Sequence, residues 1–357
     1  MNIRILSVLL VAFLMSCGPN TPQERVLTLP SSIGNVHQML VVANENFQKS
    51  GLIDSIDFHI SSVYMIVPKM ENMVDMDVMK PRDFQGYAKQ RRHILFVDAL
   101  DSQSPTAKAI RKALGPEKVR KAKEDKTFRM ASEKNKWARG QQIIYLFAPT
   151  MAELPETIEK FSKKVIKKIY DFDEPLVKIS AFAGGLNEGT IGQLQKKLDI
   201  RINIPKGYNI TSDKLIDDNT MWLRQEGGRI GYNLMVRTME YNEASTLSEE
   251  NIIKIRNEIG KAYISTRIED AYMTTEVKNR PFPVFNKTNI NGNYALEARG
   301  LYKMKGDFMG GAFISYMVYN KEANRVVFMD GFLQAPAKEA HREYILRLEL
   351  IMKTLKF

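Results

Sequence analysis

Residues 221–241 read MWLRQEGGRIGYNLMVRTMEY, and three further apolar runs follow: YALEARGLYK (294–303), AFISYMVY (312–319) and RVVFMDGFL (325–333). In the first stretch, Met221 to Glu226 and Arg229 to Tyr241 flank Gly227-Gly228. Both glycines tolerate positive φ, as a two-residue hairpin turn requires. The short polar link from Asn320 to Asn324 suits a second hairpin between the last two runs. Strands joined this way pair antiparallel, and the helical patterns lie outside them rather than between every two strands. That segregation predicts an α+β fold and argues against a doubly wound parallel sheet.

Outward from this block, Ser248-Glu249-Glu250-Asn251 offers a capping oxygen and early acids to a helix running to about Ser265. Ala337 to Leu355 reads as a closing helix with Tyr344, Leu348 and Ile351 on one stripe. Ile191, Leu194 and Leu198 mark a short helix, and Ile200 to Ile204 a strand ended by Pro205. Toward the N-terminus, strands are expected in Gly34–Val42, Ser61–Val67, His93–Val97 and Gln141–Phe147. The basic segment before the last of these reads as helices broken at Gly115-Pro116. Ile158, Phe161, Val165, Ile166 and Ile169 recur at helical spacing, with Lys160, Lys163, Lys164, Lys167 and Lys168 on the opposite face. That helix is expected to pack on a sheet, and Leu176 to Ala181 reads as strand-like. Two α+β halves result, residues 29–175 and 176–357, each a mostly antiparallel or mixed sheet with packed helices. A duplication stays open, since no residue-level repeat supports it.

The N-terminus sets the expected compartment. Met1 to Arg4 form a short positive start, Ile5 to Met15 are apolar apart from Ser7, and the run stops at Ser16-Cys17. About 11 residues make a helix of roughly 16 Å, too short for a hydrocarbon core of about 30 Å. The pattern suits a signal peptide over residues 1–16. Leu14-Met15-Ser16-Cys17 resembles the lipobox of bacterial lipoproteins, which implies that Cys17 is the lipidation site and residues 17–28 a tether. Cys17 is the only cysteine in the 357 residues, so no disulfide is available.

The chain carries a formal charge of +11, concentrated between Lys108 and Arg139, where twelve basic residues meet four acidic ones. Such a stretch in a cytosolic protein invites a nucleic-acid partner. In an exported, tethered protein it would meet anionic headgroups or glycan phosphates, and a solvated basic face is the favoured reading. No nucleic-acid partner is expected.

Constellations for chemistry are sparse. The histidines are His37, His59, His93 and His341, none in a metal-ligand spacing, so neither metal nor cofactor is expected. His93 reads as a strand-edge histidine with a solvated ring. Gly184 to Thr190 has the outline of a phosphate-cradling loop, but Thr190 stands where the P-loop needs Lys, and a plain turn is favoured. Glu71, Asp75 and Asp77 read as a solvated loop. Asp307-Phe308-Met309-Gly310-Gly311 is the most unusual stretch; its glycines permit close backbone approach or a bulge. A structural corner is favoured there over a ligand site.

Several of these stretches carry a resemblance. They are Gly34 to Val42, Gln85 to Val97 with Arg91-Arg92-His93, Trp222-Leu223-Arg224, Tyr272 to Glu276, Arg299-Gly300-Leu301-Tyr302 and Lys305 to Gly311. Together they resemble an uncharacterised lipoprotein family of Bacteroidota described as a domain of unknown function, number 4837. The resemblance implies lipid anchoring and transfers no catalytic residue.

The leading expectation is a membrane-anchored, periplasm-facing envelope lipoprotein without catalysis, binding an envelope protein or glycan. The absence of acidic runs in Gly18 to Gln23 favours the outer membrane's inner leaflet. The candidate binding corner comprises Arg299, Asp307, Phe308, Gly310 and Gly311 with the neighbouring strand of Trp222 and Arg224, and valine at both glycines is expected to abolish partner capture. The runner-up is an envelope hydrolase acting on glycan or peptide, with Asp307, Glu297 or His93 as acid and base. It needs at least two of these in one cleft, because paired glycosidase carboxyls lie about 5–9.5 Å apart.

Overall fold

The computed structural model describes residues 26, 28–64, 67–211, 219–225, 229–336 and 339–357. Residues 1–25, with the proposed signal peptide and Cys17, lie outside the described residues, as does the turn Gly227-Gly228. The fold is α+β, with thirteen strands in two sheets among the described residues. It divides into two compact units that are not contiguous halves: residues 1–50 with 77–157, and 51–76 with 158–357. Residues 51–76 and 158–175 therefore join the second unit, unlike in the expected division at 175. The reason is visible in the cores, because Tyr64 and Val67 pack with the apolar residues of the C-terminal sheet.

In the first unit, β1 (Gln38–Ala43), β3 (His93–Ala99) and β5 (Gln142–Ala148) run parallel, flanked by β2 (Asp75–Met79) and β4 (Met130–Lys134) in the order β2-β1-β3-β5-β4. β4 pairs antiparallel with β5, so the sheet is mixed. Every residue of β3 and β5 is buried, as expected for parallel strands covered on both faces. His93 is accordingly buried in a central strand, not solvated at an edge.

After β1 the chain forms α1 (Leu52–Ile60), which belongs to the second unit. Among the described residues of Ser61–Val67 there is no strand; Val63 makes only a single bridge to Asn72. In the first unit α2 (Pro105–Glu124) links β3 toward β4 and kinks where Gly115 takes φ +74 ahead of Pro116. Ser104 caps its start by accepting from the Ala107 amide, and Pro105 occupies the first helical position, where a missing N–H costs nothing. Two cations of the basic segment serve structure. Arg111 donates to the Leu100 and Ser102 carbonyls, and Arg129 to the Ala122 and Asp125 carbonyls at the end of α2. Met130–Lys134, read above as part of a helical segment, is the strand β4.

The second unit opens with α1 and α3 (Leu154–Ala181), whose last residues replace the strand expected at 176–181. Val177 is buried eight residues beyond Ile169, continuing the same helical stripe, while Leu176 and Ile179 face outward. Asn187 caps α4 (Glu188–Leu198) through the Thr190 amide at 3.1 Å, so that amide is already occupied in the glycine-rich turn. Ile200, Ile202 and Ile204 are fully buried but form no strand.

The large sheet takes β6 (Asn209–Ile210), β7 (Thr220–Gln225), β8 (Gly231–Glu240), β10 (Val284–Ile290), β11 (Asn293–Lys305), β12 (Gly310–Asn320) and β13 (Arg325–Gln334) in the order β10-β11-β12-β13-β8-β7-β6. β9 (Tyr272–Thr275) also pairs with β11, and every pairing is antiparallel. Alternation sends Ala312, Ile314, Tyr316 and Val318 to one face, under α6 (Arg342–Met352). Phe313 and Met317 go to the other, under α5 (Glu249–Tyr263). Gly331 makes room on β13, since a Cβ there would lie 3.3 Å from the Cβ of Leu348 on α6. α5 starts where expected, with Ser248 accepting from Asn251.

Candidate functional site

On β11, Glu297 and Arg299 share the face under α6. Arg299 Nε donates to Glu297 Oε1 at 2.7 Å and Nη2 to Oε2 at 3.0 Å. The same Nη2 lies 2.8 Å from Glu349 Oε2 on α6, and Nη1 donates to the Tyr64 hydroxyl at 3.0 Å. Tyr316 donates to Glu297 at 2.8 Å, and Lys353 reaches Glu349 at 2.6 Å. The Arg299, Glu297 and Glu349 side chains are only 13%, 10% and 11% exposed. Burial alone would raise the Glu297 carboxyl, but the Arg299 bonds and charge, with Tyr316 and Asn286, hold it below the ordinary carboxylate range. Burial works against the Arg299 charge as well; Glu349, Tyr64 and Glu297 overcome it and push the guanidinium well above its usual value. Burial pushes the Tyr64 and Tyr316 phenols up. These groups form a closed ion-pair network.

Tyr64 carries this network to the surface. Its side chain, with Val67, floors a groove of about 490 Å³ whose other lining residues are Val63, Pro68, Met70 and Arg280 to Val284. Small-molecule sites span about 300–1,000 Å³ and are mostly apolar with a few placed polar groups. Met70 is 82% exposed, Phe282 50% and Val284 41%, so the walls are open to solvent. Register places Val284 opposite Arg299. Gly300 lets the segment sit close, because a Cβ there would fall 3.4 Å from the Pro283 Cα and 2.8 Å from the Phe313 ring. Arg280 lies over the Phe282 ring at 5.8 Å and has no ion pair among the described residues.

A larger cavity of about 840 Å³ lies between α1 and α3, lined by both signs of charge (Asp57, Glu159, Lys160, Lys163). His59 meets Phe58 edge-on there, and Ser61 Oγ is committed to the Val74 carbonyl at 2.8 Å. On the opposite face of the large sheet, the fully buried Arg256 pairs with Asp330 at 3.0 Å and lies 3.7 Å over the Phe313 ring. Asp330 Oδ2 and Asn233 Nδ2 are buried without hydrogen-bond partners. Among the described residues no cluster of three or more His, Cys, Asp or Glu could hold a metal ion. No described helix is long and apolar enough to cross a membrane.

The expected corner does not assemble. Asp307 and Phe308 form the exposed turn between β11 and β12, where Asp307 accepts its neighbour's amide at 2.6 Å. Trp222 and Arg224 lie on β7, four strands from β11 in the sheet order, about 19 Å at 4.8 Å per step. They are not on a neighbouring strand. Trp222 donates to Asn233, and Arg224 to Gln334. Gly310 and Gly311 answer to packing: a Cβ on Gly310 would meet the Tyr302 carbonyl at 2.7 Å, and one on Gly311 the Leu333 carbonyl at 2.5 Å. Valine at these positions would deform the hairpin whatever it binds.

The hydrolase residues are scattered too. Glu297 is bound into the Arg299 network, and Lys305 lies eight residue steps along the strand from it, about 26 Å before the Asp307 turn begins. His93 is buried in the other unit. Glu71 and Asp75 are not a solvated loop either. Glu71 accepts the His341 and Arg342 amides at the start of α6, and Asp75 pairs with Arg342 at 3.0 Å. Asp77 pairs with Arg91. Sequence reasoning missed the groove, although Arg280-Pro281-Phe282-Pro283 marks an aromatic held between two prolines.

Residues 32–174 match the family model described as Domain of unknown function (DUF8532). No curated protein matches the chain. Among solved structures, the Saccharomyces cerevisiae Ran-binding protein Mog1p is similar at 11% identity over 44% of this chain and 89% of its own, with a TM-score of 0.29. A mutant of Mog1 is similar at 10% identity over the same shares, with a TM-score of 0.28. Residues 188–354, which hold most of the large sheet and both of its covering helices, match the family model described as Domain of unknown function (DUF4837).

Proposed function

We propose that this chain is a lipid-anchored, non-catalytic binding protein of the cell envelope that takes an apolar group of its partner into the groove at Tyr64 and Phe282. The N-terminal pattern ending at Cys17 supports the anchor, and the short polar tether without acidic runs supports a periplasm-facing place at the outer membrane. One observation carries the binding reading. The charged groups beneath the groove are spent on one another, while the open surface offers apolar walls whose polar side chains are only Tyr64 and Arg280. Such a surface recognises; it has no acid and base set against each other. The apolar lining also favours an envelope protein or lipid over a glycan, whose hydroxyls would lose water there without gaining partners.

A photo-crosslinking residue placed at Phe282 of the full chain in intact envelopes tests this, with the more exposed Phe308 on the hairpin turn as the control. Adducts at Phe282 that disappear when Val284 becomes Asp are expected. Equal labelling at both positions, indifferent to Val284→Asp, would remove the groove as the binding site.

A further inference from the structure

The groove's charge carries an inference about its ligand, which rests on the binding reading above. Of its ten lining residues, eight have no charge or hydroxyl in the side chain; Tyr64 and Arg280 are the others, and no acid is among them. Lys69, between the lining residues Pro68 and Met70, adds a second exposed cation at the rim. The nearest acids in sequence are engaged elsewhere: Glu71 holds the start of α6, and Glu276 pairs with Lys303 at 2.9 Å. The Tyr64 hydroxyl already accepts from Arg299. An apolar trough whose exposed charge is only positive complements a molecule with a long apolar body and one negative end. We propose that the groove binds a single-chain anionic amphiphile of the alkyl carboxylate class, the chain lying along Val67, Met70, Phe282 and Val284 and the carboxylate meeting Arg280.

An exposed ion pair is weak, so the head group should select modestly, by about two- to fivefold. Most of the affinity comes from the chain, at roughly fourfold per methylene buried.

The test uses the full chain in lipid nanodiscs, with a diazirine-bearing dodecyl carboxylate and a trimethylammonium probe of equal chain length. Peptide mapping reads adducts at 63–70 and 280–284 against those at the 306–309 turn. The expected result is groove labelling that favours the carboxylate about two- to fivefold and is displaced by excess unlabelled dodecanoate. Arg280→Glu should then reverse the preference, and Val284→Asp should cut labelling by both probes about tenfold, with unchanged circular dichroism. Equal labelling by both probes, unmoved by Arg280→Glu but lost with Val284→Asp, overturns the ligand class and leaves the binding groove standing. Groove labelling that excess dodecanoate does not displace means that the apolar rim dips into bilayer, which overturns the proposal. Labelling no higher in the groove than at the turn sinks both the ligand and the groove.

Discussion

Replacing Arg299 by Met keeps most of the side chain's apolar length and removes only its charge and hydrogen bonds. Glu297 then loses a two-pronged partner at 2.7 and 3.0 Å and keeps the hydroxyl of Tyr316 and the amide of Asn286. Glu349 loses its 2.8 Å contact but keeps Lys353. Breaking a buried pair from one side costs about 3–5 kcal/mol, and these remaining partners place the loss near the lower end. For a unit of this size, about 3 kcal/mol lowers the midpoint by roughly 6–12 °C. The pH dependence separates charge from packing. Glu297 is held below its ordinary range, so in the native protein its contribution is complete above about pH 4.3, the unfolded value, and fades as pH falls through the folded one. In the Met variant only Tyr316 and Asn286 still oppose burial, the carboxyl shifts upward from its native value, and protonation relieves part of the strain. The gap between native and variant should therefore shrink from pH 7.5 to pH 4.5. Urea unfolding followed by Trp222 fluorescence, on a background with Trp137 changed to Phe, reports the second unit alone. A loss below about 1 kcal/mol, or one that stays constant with pH, would refute the closed network.

The Arg256–Asp330 pair makes a sharper version of the same argument. Asp330→Leu alone should cost about 3–5 kcal/mol, whereas Asp330→Leu with Arg256→Met should recover most of it, because the lone buried charge is gone; denaturation of the two variants checks this. Gly311→Ala should cost about 1–3 kcal/mol through its contacts with the Leu333 carbonyl and the Tyr302 ring. Gly292→Ala, whose Cβ meets nothing within 4 Å but whose φ is +91, should cost about 1 kcal/mol from backbone strain alone.

Much of the fold was legible because it is written in local patterns. The alternation in 294–333 and the cap at Ser248 are set by neighbours within a few residues, and the structure keeps them. The readings that failed depend on distant partners. Ser61–Val67 has strand-like composition, yet its tyrosine is held by Arg299, 235 residues away. Ile200, Ile202 and Ile204 are buried by the sheet and α6, and their segment makes only a single bridge, from Arg201 to Lys356. The extension of α3 through Pro175 shows that one proline does not end a helix whose buried stripe continues on both sides. The site failed for a similar reason. Gly310-Gly311 entered the binding corner because adjacent glycines permit close backbone approach, and what approaches is the Tyr302 ring and two carbonyls crossing from other strands. Arg299 belongs to the site, but beneath it: its guanidinium positions the Tyr64 floor and does not face solvent. The groove joins two segments more than 200 residues apart, and nothing in either names the other.

The proposed anchor at Cys17 would fix where the groove meets a partner, and the mass of the N-terminal peptide from native membranes examines it most directly. The account predicts a peptide that begins at Cys17, acylated at its amine and carrying a diacylglyceryl thioether, found in the membrane fraction. A free thiol on a chain that still begins at Met1, recovered from the soluble fraction, would contradict it.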